Sequence, residues 1–114
     1  AYLNQRADKK AMNDLQTLAK DTRTLYGAEA KYLVAQQLYK AGEYTAAEKE
    51  ILNFIDQSTP HAYWLARSFV LLSDVYVAMD KKLDARQYLL SLQQNYHADD
   101  DIEQMINERL EKLK

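Results

Sequence analysis

The chain has 114 residues, 47% of them hydrophobic and 28% charged, with a net charge of −2 and no cysteine. That length suits one domain with its own core, and the lack of cysteine excludes disulfides, thiol catalysis and thiolate-bound zinc. The balance of 15 basic against 17 acidic side chains argues against a nucleic-acid surface, which needs a basic excess.

No apolar run approaches the ~20 residues of a membrane span. The N-terminus from Ala1 to Lys10 is too polar for a secretory leader. Because the chain opens without methionine, it is expected to be a segment of a longer protein. Only 2 glycines and 1 proline are present, too few for the turns of a β-rich fold.

Helical periodicity runs through the chain. A first helix is predicted from about Arg6 to Leu25, with Ala11, Leu15, Leu18, Thr22 and Leu25 on one stripe. Gly27 suits its C-cap. Ala30, Val34 and Leu38 carry a second helix up to Gly42 and Glu43. Tyr44, Ala47, Ile51 and Phe54 carry a third. At Ser58-Thr59-Pro60, Thr59 suits an N-cap and Pro60 a first helical position. Leu65, Phe69, Leu72, Tyr76 and Met79 follow as a long apolar stripe. After a turn at Asp80–Lys82 come Ala85, Leu89 and Leu92. Asp99, Asp100 and Asp101 read as a turn and N-cap, with Glu103 completing a capping box from Asp100. Ile102, Met105, Ile106, Leu110 and Leu113 end the chain as an amphipathic helix. Six helices and no strand are predicted.

These helices repeat. Val34 matches Leu72, Ala35 Ser73, Leu38 Tyr76, Ala47 Ala85, Ile51 Leu89 and Phe54 Leu92, and every pair is 38 positions apart. Small residues fall where two helices approach closely, and large ones fill the space between pairs. That is the pattern of a stacked helix–turn–helix unit.

On these residues the chain resembles the tetratricopeptide repeat family. Ala35 falls on the motif's first small residue, Gly42 on its turn glycine, Tyr44 on its turn aromatic and Ala47 on the small residue of its second helix. The second unit departs at Asp80 and Lys82, and Lys31 stands where unit one should carry a large aromatic. The family period is about 34 residues, so the offset here implies about one extra helical turn, placed at the start of the helix opening with Pro60. Ala11, Leu15 and Leu18 precede Ala47, Ile51 and Phe54 by 36 positions. The resemblance therefore implies an all-α fold of antiparallel helix hairpins stacked as a short right-handed superhelix. Residues 1–26 would be the second helix of a truncated repeat, 28–57 and 60–96 two repeats, and 99–114 a capping helix. It is similar to tetratricopeptide proteins of bacterial envelopes, including outer-membrane assembly lipoproteins, and to the C-terminal part of large Bacteroidetes members. That implies a periplasmic or envelope location.

In this family the first helix of each pair lines a concave groove. The resemblance places Glu29, Tyr32, Gln36 and Tyr39 there from unit one, and Arg67, Val70, Asp74 and Val77 from unit two. Such a surface is expected to bind a protein or peptide partner. The lysine and asparagine clamp that some members use for a chaperone's terminal carboxylate is absent, its positions holding Tyr32, Gln36, Val70 and Asp74. An architectural role is the alternative, in which the apolar stripe of the first helix seeks a neighbour, including a second copy. His61, Tyr63 and Trp64 read first as packing at a repeat junction, with an aromatic hot spot exposed by the extra turn as the alternative. His61, His97 and the aspartate run lack metal-site spacing, and no catalytic or cofactor motif is present. No enzyme activity, metal or cofactor is expected.

Overall fold

The computed structural model describes residues 16–17, 19–57 and 59–113. Among them the chain is all helical, with five helices: α1 (Leu25–Lys40), α2 (Tyr44–Asp56), α3 (Ala62–Ala78), α4 (Lys82–Asn95) and α5 (Ile102–Lys112). Gln16 and Thr17 are also helical. Most of the predicted first helix, with Ala11, Leu15 and Leu18, lies outside the described residues.

Leu25 does not end a helix. It starts α1, and Thr24 is the N-cap, its Oγ1 accepting from the Gly27 N–H at 2.9 Å. Gly27 is therefore in the first turn of α1 and not at a C-cap. A Cβ there would stand 1.8 Å from the Asp21 carbonyl oxygen, so the 21–24 turn folds onto a bare glycine.

The next turns share one geometry. In the first, Gly42 N–H donates to Tyr39 O and Glu43 N–H to Leu38 O; in the second, Asp80 N–H donates to Val77 O and Lys81 N–H to Tyr76 O. Each is a Schellman motif closing a helix. Its left-handed residue is Gly42 (φ 81°) in one and Asp80 (φ 62°) in the other. These turns fold α1 on α2 and α3 on α4 as antiparallel hairpins. Tyr39 meets Tyr44 near the first turn, and Lys31 meets Glu50 further from it.

The α2–α3 connection differs from the expected early helix start. Pro60 is not helical, and α3 begins at Ala62. The extra residues instead form a connector pinned to the turn before α1. Thr59 Oγ1 donates to Thr22 O at 2.6 Å and accepts from the His61 N–H. His61 Nε2 lies 3.0 Å from Arg23 O, and Thr22 Oγ1 donates to Gln57 Oε1 at 2.6 Å. Thr59 serves this clasp rather than a helix cap.

α3 is apolar nearly all round, as a central helix must be, and it packs against each of the other four. One core cluster joins α1, α2, α3 and α4 through Tyr32, Ala35, Ile51, Leu72, Val75 and Ala85. A second joins α3, α4 and α5 through Ala66, Val70, Leu89, Leu92, Ile102 and Ile106. The small pair expected at close approaches, Ala47 and Ala85, is fully buried. At the start of α5, Asp100 Oδ1 accepts from the Ile102 N–H at 2.9 Å. No capping-box bond from Glu103 is formed, and the N-cap residue is Asp101. Glu103, Asn107, Glu108, Glu111 and Lys112 of α5 are exposed.

Candidate functional site

α1, α3 and α5 stand side by side and parallel. Tyr32 of α1 lies against Trp64 of α3, with ring centroids 5.6 Å apart. Tyr63 beside it donates to Asp101 at the α5 N-terminus at 2.9 Å. Further along, Arg109 of α5 makes a two-point pair with Asp74 of α3, at 2.9 and 3.1 Å. Arg23 before α1 and Tyr32 within it meet His61 and Trp64 at α3, and Tyr63 and Asp74 of α3 meet Asp101 and Arg109 at α5, so partners advance in the same direction along neighbouring helices, as a parallel alignment requires.

The three helices leave a trough with two hollows. The smaller, about 180 Å³, is lined by Tyr32, Gln36, Tyr39, Arg67, Val70 and Asp74 among others. The larger, about 560 Å³, is lined by Tyr39, Asp74, Val77, Ala78, Arg109 and Leu113 among others. Tyr39, Asp74 and Arg109 border both and form the ridge between them. Of the eight residues placed on this face from the sequence, six surround the smaller hollow and Val77 joins the larger. Glu29 lines neither and is half-buried near the start of α1.

These side chains do different things. Tyr32 and Val70 are buried and belong to the core, offering only an edge to the trough. Val77 is exposed at 39%. Arg67 lies over the Tyr32 ring at 4.9 Å and within 5.6 Å of Trp64 and 5.9 Å of Tyr63, a stack that holds the guanidinium flat against π-faces. Its Nε is buried without a hydrogen-bond partner. Arg109 is engaged at all three nitrogens by contrast, since its Nη1 also donates to Met105 O at 3.2 Å. Burial raises the Tyr39 hydroxyl above its ordinary pKa of 10.0, and the nearby Asp74 carboxylate adds to this. Tyr39 is therefore a neutral hydroxyl at the ridge.

Residues outside the predicted set complete the surface. Lys40, Lys82, Met105, Glu108, Arg109 and Lys112 border the hollows. Helical period alone does not pair α5 with Asp74; the signal for its residues is Arg109, a basic side chain in the last turn of an amphipathic helix. His61, Tyr63 and Trp64 sit at the α1–α3–α5 junction, in mutual contact or bound to backbone. Among the described residues no group of three or more His, Cys, Asp or Glu side chains is placed to hold a metal ion. No helix among them is long and apolar enough to cross a membrane. No family model, curated protein or solved structure matches the chain.

Proposed function

We propose that the chain is a tetratricopeptide-type interaction module that receives an extended segment of a protein partner along the trough of α1, α3 and α5. The observation that carries this reading is the trough itself: two hollows joined across one ridge, walled by three parallel helices. A linear chain of side chains fits such a surface, with alternate residues dropping into the hollows. Tyrosine and arginine at its centre are effective anchors, being large and already held in place. The reading assigns no catalytic step.

The test is a paired affinity capture from lysate of the source cell. One bait is the wild-type domain; the other carries Tyr39→Ala and Val77→Asp, with unchanged circular dichroism. Arg67 is left intact because its side chain packs on three rings. A protein kept by the first bait and lost by the second supports the reading, and equal capture by both sinks it.

A second reading is architectural, and one observation favours it: Leu25 and Tyr26 are exposed at 50% and 72% at the start of α1. Self-association through this end would raise the light-scattering mass with concentration. Leu25→Ser with Tyr26→Ser would abolish the rise.

A further inference from the structure

We infer that the partner segment is acidic, with one carboxylate side chain in the smaller hollow and one apolar side chain in the larger. This rests on the trough being a binding surface. The first observation is charge. The trough carries five cations, Lys40, Arg67, Lys82, Arg109 and Lys112, against two carboxylates, Asp74 and Glu108. Its balance is +3 in a chain whose net charge is −2. The trough thus carries a cationic excess while the remainder of the sequence is net negative, and the concave face draws opposite charge from solution.

The second observation is how the cations are held. Asp74 engages Arg109 at two points, so that pair is satisfied. Arg67 has no carboxylate partner, its Nε is buried and unpaired, and three rings fix its plane. A guanidinium already oriented loses little freedom on meeting a carboxylate. The hollow of about 180 Å³ beside it has room for one side chain, with Lys40 on its rim.

The third is spacing. The larger hollow offers Val77, Ala78 and Leu113 as an apolar floor. Val77 lies ten positions beyond Arg67 on α3, about 15 Å along the helix axis. An extended peptide covers that in about four or five residues. The ligand class is thus an Asp- or Glu-rich segment with an apolar residue about four or five places from its anchoring carboxylate.

The test is selection from a random peptide library of about ten residues, enough to span ~30 Å extended, displayed within a loop so that neither terminus is free. Enriched peptides should be rich in Asp and Glu and carry that spacing. Binding should weaken roughly tenfold or more in Lys40→Glu with Lys112→Glu, both exposed positions, and similarly in Arg67→Met, read only where circular dichroism and the urea midpoint show that variant still folded. It should also weaken as salt rises. Enriched peptides that are neutral or basic, yet lost on Tyr39→Ala with Val77→Asp, overturn the acidic assignment and leave the trough reading standing. Peptides indifferent to every trough variant, or none enriched, overturn both. Tighter binding to phosphatidylserine vesicles or to a DNA duplex than to any selected peptide, lost in the same lysine variant, would also overturn the acidic peptide in favour of a polyanion.

Discussion

Gly42 and Asp80 hold the same left-handed position, and substitution moves them in opposite directions. Nothing lies within 4 Å of a Cβ built on Gly42, so Gly42→Ala meets only the backbone penalty and should lower stability by about 1 kcal/mol. Asp80→Gly should raise it by roughly 0.5 kcal/mol, the left-handed strain relieved less the entropy that glycine adds to the unfolded chain. Gly27→Ala should be the most damaging, about 2–3 kcal/mol, because its Cβ would strike the Asp21 carbonyl and not open space. Urea midpoints at constant m-value check all three. The sequence pattern located the turn at Gly42 and its counterpart at Asp80, since both interrupt an apolar stripe. It misplaced Gly27 because a glycine in a first helical turn and one at a C-cap look alike without the chain that folds against them.

At the scale of helices, polar contacts decide how neighbours sit. Lys31 occupies the position where a large aromatic was expected. Its side chain is only 9% exposed and its Nζ lies 3.0 Å from Glu50 on α2. Removing one partner of such a pair strands the other. Glu50→Ala should cost about 1–3 kcal/mol, moderated by the partial exposure of Glu50, whereas Lys31→Met with Glu50→Leu should be near neutral. A double-mutant cycle by chemical denaturation separates the two outcomes. The start of α5 is held by tyrosines: Tyr96 donates to Asp100 at 2.5 Å and Tyr63 to Asp101. Burial, then the Asp100 carboxylate, pushes Tyr96 from 10.0 up to about 12. Between those values the unfolded chain has released a proton that the folded chain still holds, so stability falls as pH rises through the window. Tyr63 and Tyr39 are raised in the same direction. Tyr96→Phe should lessen the fall seen in urea midpoints between pH 10 and 12, leaving the share contributed by Tyr39, Tyr63 and Tyr76. The aspartate run was legible as the lead into a helix, but not its hold on two distant tyrosines. Helical period fixes which face a side chain occupies and says little about what lies across from it.

Over the whole molecule, the radius of gyration is 14.2 Å, with extents of 40 × 30 × 22 Å. That is slightly above the roughly 13 Å of a compact globule of this length, as a short stack should be. The all-helical class and the two hairpin turns were readable because apolar period and turn residues both act locally. The course of the α2–α3 connector was not, since Thr59 is placed by Thr22, 37 positions away. The matched turns carry a practical consequence. The stretch from Glu43 to Asp80 begins just after one Schellman residue and ends on the next, so a second copy spliced behind Asp80 would meet the same turn at both junctions. The longer chain should fold, gain one hairpin's worth of helical ellipticity and lengthen its envelope in small-angle scattering by about one helix-pair spacing, roughly 10 Å for each helix layer. Loss of helicity per residue in that chain would mean that α3 cannot stand beside α2 in sequence as it stands beside α4. Success would make the protein a ruler whose marks can be added one at a time.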